Sequence, residues 1–180
     1  MTEELQELHE HAEHARHDPS IAPVTITMAV LAVLVATAAL LGHRTHTEEI
    51  VLQNKVTDQW AFYQAKNIRR HNDELFADLT RVITTKDEAA ITKLGARYQA
   101  EADRYREEQK ELDAKARELE KETDLARRKA DRFDLGEVFL EVGLVITSIM
   151  LLSGRRLYWY IGLCSGAAGV LVAASAWLVR

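Results

Sequence analysis

The sequence has few of the residues that interrupt helices or cross-link chains. It contains two prolines, eight glycines and a single cysteine, so long uninterrupted helices are favoured over strands and turns. The lone Cys164 excludes a disulfide framework or a thiolate zinc site within one chain. A net charge of -5 also lacks the basic footprint of a nucleic-acid-binding protein, so we expect no nucleic-acid partner.

Catalytic signatures are missing as well. No motif pairs a nucleophile with a base, and no glycine-rich phosphate loop occurs. We therefore expect a protein that is not an enzyme.

Charged residues make up 28% of the chain and are concentrated in its centre, between apolar runs. The first run, PVTITMAVLAVLVATAALLG, has no charge and the roughly 20 residues that a bilayer-spanning helix needs. We predict an all-α membrane protein with three transmembrane helices and a long antiparallel coiled-coil hairpin between the first and second. The predicted segments are an acidic, histidine-rich tail at 1–20, spans at 21–43, 135–153 and 157–179, and the hairpin at 44–134 with its tip near 84–87.

The central stretch shows heptad spacing in both predicted arms. The outgoing seam is Val51, Asn54, Asp58, Ala61, Ala65, Ile68, Asn72, Leu75, Leu79 and Val82. The returning seam is Ile91, Leu94, Tyr98, Ala102, Tyr105, Gln109, Leu112, Ala116, Leu119, Thr123, Ala126, Ala130 and Phe133. Thr85-x-x-Glu88 is a capping-box pattern that predicts where the returning helix begins.

Several features of the hairpin predict self-association. Asn54, Asp58 and Asn72 are polar seam residues of the kind that fix register or partner number. Many seam positions are Ala, Gln or Thr, so one hairpin buries little apolar surface. The off-seam aromatic residues Trp60, Phe62 and Tyr63 predict a second contact surface, against another subunit.

Small residues in the spans predict close helix packing. Gly162, Gly166 and Gly169 form a stripe in the third span, which could serve contacts within or between subunits. The second span carries Glu137, expected at the headgroups, and Glu141, expected deeper and level with Thr37 and Ser175. Either hydroxyl could donate to Glu141. A protonated Glu141 would join helices, whereas an ionised one in an oligomer would form a ring attractive to cations.

Histidines suggest two metal or pH-sensing candidates. His11, His14 and His17 alternate with glutamates in the tail and could bind a divalent metal such as zinc, nickel or copper, although a solvated amphipathic tail explains the same pattern. His43 and His46 lie at the exit of the first span and could bind metal, sense pH or form ordinary interfacial hydrogen bonds. No other cofactor is expected.

The decapeptide Thr57-Asp-Gln-Trp-Ala-Phe-Tyr-Gln-Ala-Lys66 resembles the core of an uncharacterised bacterial family, domain of unknown function forty-three thirty-seven. The similarity extends to the Leu41-Gly42-His43 exit, the Arg155-Arg156 turn and the Gly166 to Gly169 segment. The resemblance implies a small three-span membrane protein with a coiled extramembrane region. It implies no activity.

The leading interpretation is a homo-oligomeric scaffold or adaptor in the bacterial inner membrane, whose coiled stalk organises itself or a protein partner. Positive-inside counting favours a cytoplasmic hairpin and an exported tail, although the Arg155-Arg156 turn argues the other way. The alternatives are an oligomeric ion or proton channel with Glu141 lining the pore, and metal binding by the tail.

Overall fold

The computed structural model describes residues 21–84 and 86–179. It contains α1 (Ala22–Val82), α2 (Glu88–Ser153), α3 (Arg156–Ser175) and a short 3-10 helix, Ala176–Leu178. No strand occurs in the described ranges, so the all-α prediction is confirmed. The predicted tail, residues 1–20, lies outside the described residues.

Each of the three long helices contains a stretch long and apolar enough to cross a membrane. The stretches belong to helices of 61, 66 and 20 residues, and the last of them continues through the 3-10 helix to Leu178. A 66-residue helix exceeds by far the roughly 20 residues that a bilayer requires. Both α1 and α2 therefore combine an apolar part with a long polar part.

The breaks between helices have identifiable local causes. The Asp87 carboxylate accepts a hydrogen bond from the Ala90 amide at 2.9 Å, which satisfies one of the free amides at the start of α2. The capping oxygen is thus supplied by Asp87, whereas the predicted capping residue Thr85 lies outside the described residues. At the other end of α2, Gly154 adopts a φ of 65° and its amide donates to the Met150 carbonyl at 2.8 Å, an arrangement that favours glycine.

The chain divides into two compact units. The first unit comprises Met1–Thr47 and Leu125–Arg180, and its core is the cluster of Leu31, Ala38 and Leu140. Leu140 is 1% exposed, so α1 and α2 pack tightly at this point.

The second unit, Glu48–Asp124, consists of the outgoing arm of α1 and the returning arm of α2. Its contacts pair later residues of α1 with earlier residues of α2. In order along α1, the pairs are Trp60 with Glu120, Lys66 with Glu108, Glu74 with Arg106, and Phe76 with Tyr98. Side-chain contacts therefore join the two arms along most of their length.

Candidate functional site

The outgoing arm packs against α2 through a face that we name the inner seam. Its members follow one another in alternating steps of four and three residues, and all are buried or half-buried: Leu52, Val56, Gln59, Tyr63, Lys66, Arg70, Asp73, Ala77 and Thr80. Most of these side chains are polar. The sequence analysis missed this seam because the apolar heptad pattern lies on another face of α1. The spacing of the inner seam is as regular as that of the apolar pattern.

The predicted outgoing seam is a different face and remains exposed. We name its ten residues, Val51, Asn54, Asp58, Ala61, Ala65, Ile68, Asn72, Leu75, Leu79 and Val82, the outer stripe; every one of them is exposed. At about 100° per residue the centres of the outer stripe and the inner seam are roughly 150° apart around α1. The apolar heptad pattern of the outgoing arm therefore does not mark the face of α1 that is buried within the second unit.

The predicted returning seam, in contrast, matches the buried face of α2. Among its thirteen residues only Leu94 is exposed, and the others are buried or half-buried. Ala102 and Ala116 are fully buried, so small residues of α2 face the larger polar side chains of the inner seam. This combination of small and large residues lets the polar face of α1 pack inside the second unit.

Ion pairs and hydrogen bonds engage several polar groups of the inner seam, whereas the buried Arg70 Nε has no hydrogen-bond partner among the described residues. Lys66 forms an ion pair with Glu108, and its ammonium lies 4.9 Å from the centre of the Tyr105 ring, within cation–π range. The hydrogen bond from Lys66, together with the positive charge, lowers the pKa of Glu108 below its ordinary value. Since buried polar groups are tolerated only when paired, these partners explain why a polar face can be the packed one.

A second cross-arm ion pair lies further along. Arg106 of α2 donates to Glu74 of α1 at 2.9 Å and also to Asp103 of its own helix at 3.0 Å. Arginine can hold two carboxylates at once because its guanidinium presents several donors in a plane. The polar contacts are thus distributed along both arms.

The three predicted contact aromatics separate into two groups. Trp60 donates from its indole nitrogen to Glu120 at 2.9 Å and packs edge-on against Tyr63, with ring centres 5.4 Å apart. Both rings are half-buried within the chain. Phe62 is 61% exposed, so it alone of the three is available to a partner, beside the outer stripe.

The outer stripe has the chemistry of a binding surface. Its larger apolar members Ile68, Leu75 and Val82 are 62%, 58% and 75% exposed, and exposed apolar side chains grouped on one protein surface are typical of an interaction site. Asn54, Asp58 and Asn72 interrupt it and are exposed too. The described residues contain no cluster of His, Cys, Asp and Glu that could hold a metal ion. The outer stripe is therefore an exposed and mainly apolar surface.

In the first unit, glycines bring α2 and α3 into backbone contact. A Cβ added at Gly162 would lie 2.7 Å from the Gly143 carbonyl, and one at Gly169 would lie 2.7 Å from the Gly136 carbonyl. Gly162, Gly166 and Gly169 are all buried. We therefore assign these three glycines to packing within one chain and not to a contact between copies. Sequence reasoning missed Gly136 and Gly143, whose seven-residue spacing on α2 was the available signal.

The carboxylates of the second span do not pair with the expected hydroxyls. Thr37 donates to the Val33 carbonyl at 2.8 Å and Ser175 to the Val172 carbonyl at 2.6 Å, so each hydroxyl bonds within its own helix. Glu141 is exposed and Glu137 is half-buried. Within the described residues, no hydrogen bond or ion pair engages Glu141. Of the two hydroxyls that could donate to Glu141, neither does so in this structure.

The two histidines at the exit of the first span differ in their surroundings. The His46 Nε2 lies 2.8 Å from an Asp134 carboxylate oxygen, while His43 is exposed. Asp134 follows the charged stretch immediately, and nothing in its local sequence indicated a histidine partner 88 positions away. His11, His14 and His17 lie outside the described residues, so metal binding by the tail stays a prediction.

Comparison with known proteins identifies a family but no characterised relative. A family model described as "Domain of unknown function (DUF4337)" matches residues 20–179. No curated protein and no solved structure matches the chain. Since the matched region covers nearly the whole sequence, the chain belongs to the DUF4337 family of uncharacterised domains.

Proposed function

We propose that this protein is a non-enzymatic, homo-oligomeric scaffold or adaptor of the bacterial inner membrane. In this proposal three spans anchor an antiparallel coiled-coil hairpin, and copies assemble through the hairpin. The observation that carries the proposal is the outer stripe, an apolar heptad face that stays exposed after the arms of one chain have packed together. Such a face is costly in water unless a partner covers it.

The exposed surface of the spans supports membrane insertion. Large apolar side chains project outward from all three, among them Val33 at 66%, Val145 at 61% and Leu171 at 72% exposure. Lipid tails accommodate such side chains without cost. Gly136 and Gly143 facing Gly162 and Gly169 are also typical of helices that pack in lipid, where small residues permit close backbone approach.

The spacing of the inner seam supports a coiled coil. Alternating steps of four and three residues are the signature of two helices that supercoil around one another. The inner seam is mostly polar and includes few large apolar side chains, so one hairpin is weak without further burial. Assembly of several hairpins supplies that burial.

Orientation follows from the distribution of cations. The hairpin side carries Arg127, Arg128, Lys129 and Arg132 close to the second span, and clustered Lys and Arg near a span favour the cytoplasmic face. We therefore propose that the hairpin lies in the cytoplasm and the acidic tail outside. A reporter enzyme that is active only in the cytoplasm, fused after Arg180 on the hairpin side, should be active; an inactive fusion with full expression would contradict this orientation.

The mass of the detergent-purified particle tests the scaffold proposal. Light scattering, with the detergent contribution subtracted, should give a whole-number multiple of the chain mass greater than one. A monomer at concentrations up to about 100 μM would remove self-association and with it the proposed scaffold. An adaptor that acts as a monomer would then need a protein partner to cover the outer stripe.

The exposed position of Glu141 favours a second candidate, an ion or proton conduit. Its carboxylate lies on a face of α2 that neither α1 nor α3 covers, so copies arranged in a ring could direct several such carboxylates into a central pore. The test is cation flux in liposomes that contain the full chain. Flux that falls with Glu141→Gln and persists with Ser148→Ala supports the conduit, whereas flux unaffected by Glu141→Gln, or no flux, contradicts it.

A further inference from the structure

We propose that the outer stripe of one copy packs against the outer stripe of a second copy, in parallel and in register. The inference rests on the proposed function, since it names the partner and the geometry of the assembling surface. It goes further because it predicts which residues of two chains face each other. Three observations support it: the area of the stripe, its confinement to α1 and the pattern of charges beside it.

The exposed apolar area is large enough for a stable dimer. Nine large apolar side chains on and beside the stripe are 41–75% exposed: Ile50, Val51, Phe62, Ile68, Leu75, Phe76, Leu79, Val82 and Ile83. Taking roughly 150–200 Å² for one fully exposed large side chain, they present on the order of 800 Å². A standard protein–protein interface buries about 800 Å² per partner. The stripe and the four apolar side chains beside it thus offer together an area of the size that such an interface buries.

The returning arm of α2 has no apolar surface that could cover the outer stripe of another copy. In the returning arm, from Glu88 to Asp124, Leu94 is the one large apolar side chain that is exposed, at 38%. A copy therefore has no second apolar face on its hairpin that could cover the outer stripe of another. The matching surface is the outer stripe itself, which makes the contact isologous, as in the two-fold dimers that dominate among homo-oligomers.

Membrane topology sets the direction of the pair. Copies inserted with the same topology leave the bilayer through the same end of α1, so their outer stripes run in the same direction. Residues at equivalent positions then meet across the two-fold axis. In this arrangement Ile68 faces Ile68 and Leu75 faces Leu75 of the other copy.

The residues beside the stripe are compatible with a parallel pair. In a parallel pair, a flanking residue of one copy faces the residue five positions further along the other copy. These pairs are Ile50 with Lys55, Thr57 with Phe62, Gln64 with Arg69, His71 with Phe76, and Asp78 with Ile83. No two like charges meet in any of these pairs. The flanks therefore offer no charge repulsion to an in-register pairing.

Two polar residues of the stripe have distinct consequences. Asn72 would face its counterpart, and an asparagine pair at such a position fixes register and favours two strands. Asp58 would face another aspartate, and two like charges in one site oppose association. We therefore expect Asp58→Asn to increase the affinity between copies several-fold.

Disulfide cross-linking of the full chain in membranes tests the geometry. In a Cys164→Ser background, single cysteines are introduced at Ile68→Cys and Leu75→Cys in the stripe, and at Lys115→Cys, an exposed site on α2. Mild oxidation should convert the first two variants to covalent dimers and leave the third monomeric. Circular dichroism checks that each variant keeps its helical content.

The outcomes separate this inference from the proposed function. If the particle is oligomeric but Lys115→Cys cross-links at least as well as Leu75→Cys, the parallel stripe contact is wrong and the scaffold stands. If the particle is a monomer, both fail. Asp58→Asn gives an independent readout by sedimentation in detergent: stronger association supports the facing aspartates, and unchanged or weaker association overturns them.

Discussion

Lys66 of α1 forms an ion pair with Glu108 of α2 at a position where a coiled coil ordinarily places an apolar side chain. About a third of each side chain is exposed, so water screens the pair only in part. The tyrosine ring beside Lys66 adds a cation–π contact. The charge of Glu108 therefore contributes to the packing between the two arms.

Acidification should weaken the second unit through Glu108. The pKa of this carboxyl is lowered in the folded chain by the hydrogen bond from Lys66, so the ionised form stabilises folding. The stabilisation is fully present above the unfolded pKa of about 4.3 and is lost as the pH falls through the lower folded pKa. Thermal unfolding followed by circular dichroism between about pH 6 and pH 3 measures the loss.

The matched variants for this prediction are Glu108→Gln and Glu111→Gln. Glu111 is an exposed carboxylate on the same helix. Glu108→Gln should flatten the decline of the melting temperature below about pH 4.5, and Glu111→Gln should leave it as in the wild type. Equal declines in all three proteins would show that Glu108 does not contribute to the pH dependence.

Adding side-chain volume at the glycine contact should separate α2 from α3. In Gly143→Val the new Cβ would meet the Gly162 carbonyl at 2.8 Å, well inside van der Waals contact. Overpacking of this kind costs about 1–3 kcal/mol, which should lower the melting temperature in detergent by several degrees. Ala167→Val, at an exposed position of α3, adds similar volume and should change stability little. Equal losses in the two variants would contradict the close contact.

The start of α2 should depend on one hydrogen bond to Asp87. Removing the acceptor in Asp87→Ala should destabilise the second unit by about 1 kcal/mol, the usual loss for a helix cap. Asp87→Asn keeps an oxygen acceptor for the Ala90 amide and should retain most of the stability. Chemical denaturation monitored by circular dichroism compares the three proteins. If Asp87→Asn is as unstable as Asp87→Ala, the loss of stability comes from the charge of Asp87 and not from capping.

The helical class and the returning seam could be predicted because their signals are local. Apolar runs of bilayer length and the scarcity of proline predict the first. The pattern of α2 from Ile91 to Phe133 advances in alternating steps of three and four residues with one extra step of four at Tyr98, and all its members except Leu94 lie on the buried face. The glycine stripe of α3 was found from its spacing as well. Its partners on α2, Gly136 and Gly143, are two glycines seven residues apart in an apolar run, and the packed structure identifies their role.

The outgoing seam could not be predicted because α1 carries two heptad faces. Apolarity favours the outer stripe as the packed face. The face of α1 that packs instead has partners far away in sequence: Glu108 and Tyr105 contact Lys66, and the small residue Ala102 is fully buried. The His46–Asp134 contact joins residues 88 positions apart and is likewise invisible to local pattern. The apolar heptad face of α1 is thus the exposed one, and its polar heptad face is the buried one.

Self-association through the outer stripe is tested most directly by making the same substitution, leucine to lysine, once on each arm. Leu75→Lys places a charge in the stripe, whereas Leu94→Lys places one at the exposed apolar residue of the returning arm. The particle mass of each full chain is measured in the same detergent by light scattering. We predict that the wild type and Leu94→Lys remain oligomeric and that Leu75→Lys becomes monomeric at micromolar concentration with unchanged helical content. An oligomer that survives Leu75→Lys at full size, or that is lost equally with Leu94→Lys, would contradict assembly through the stripe.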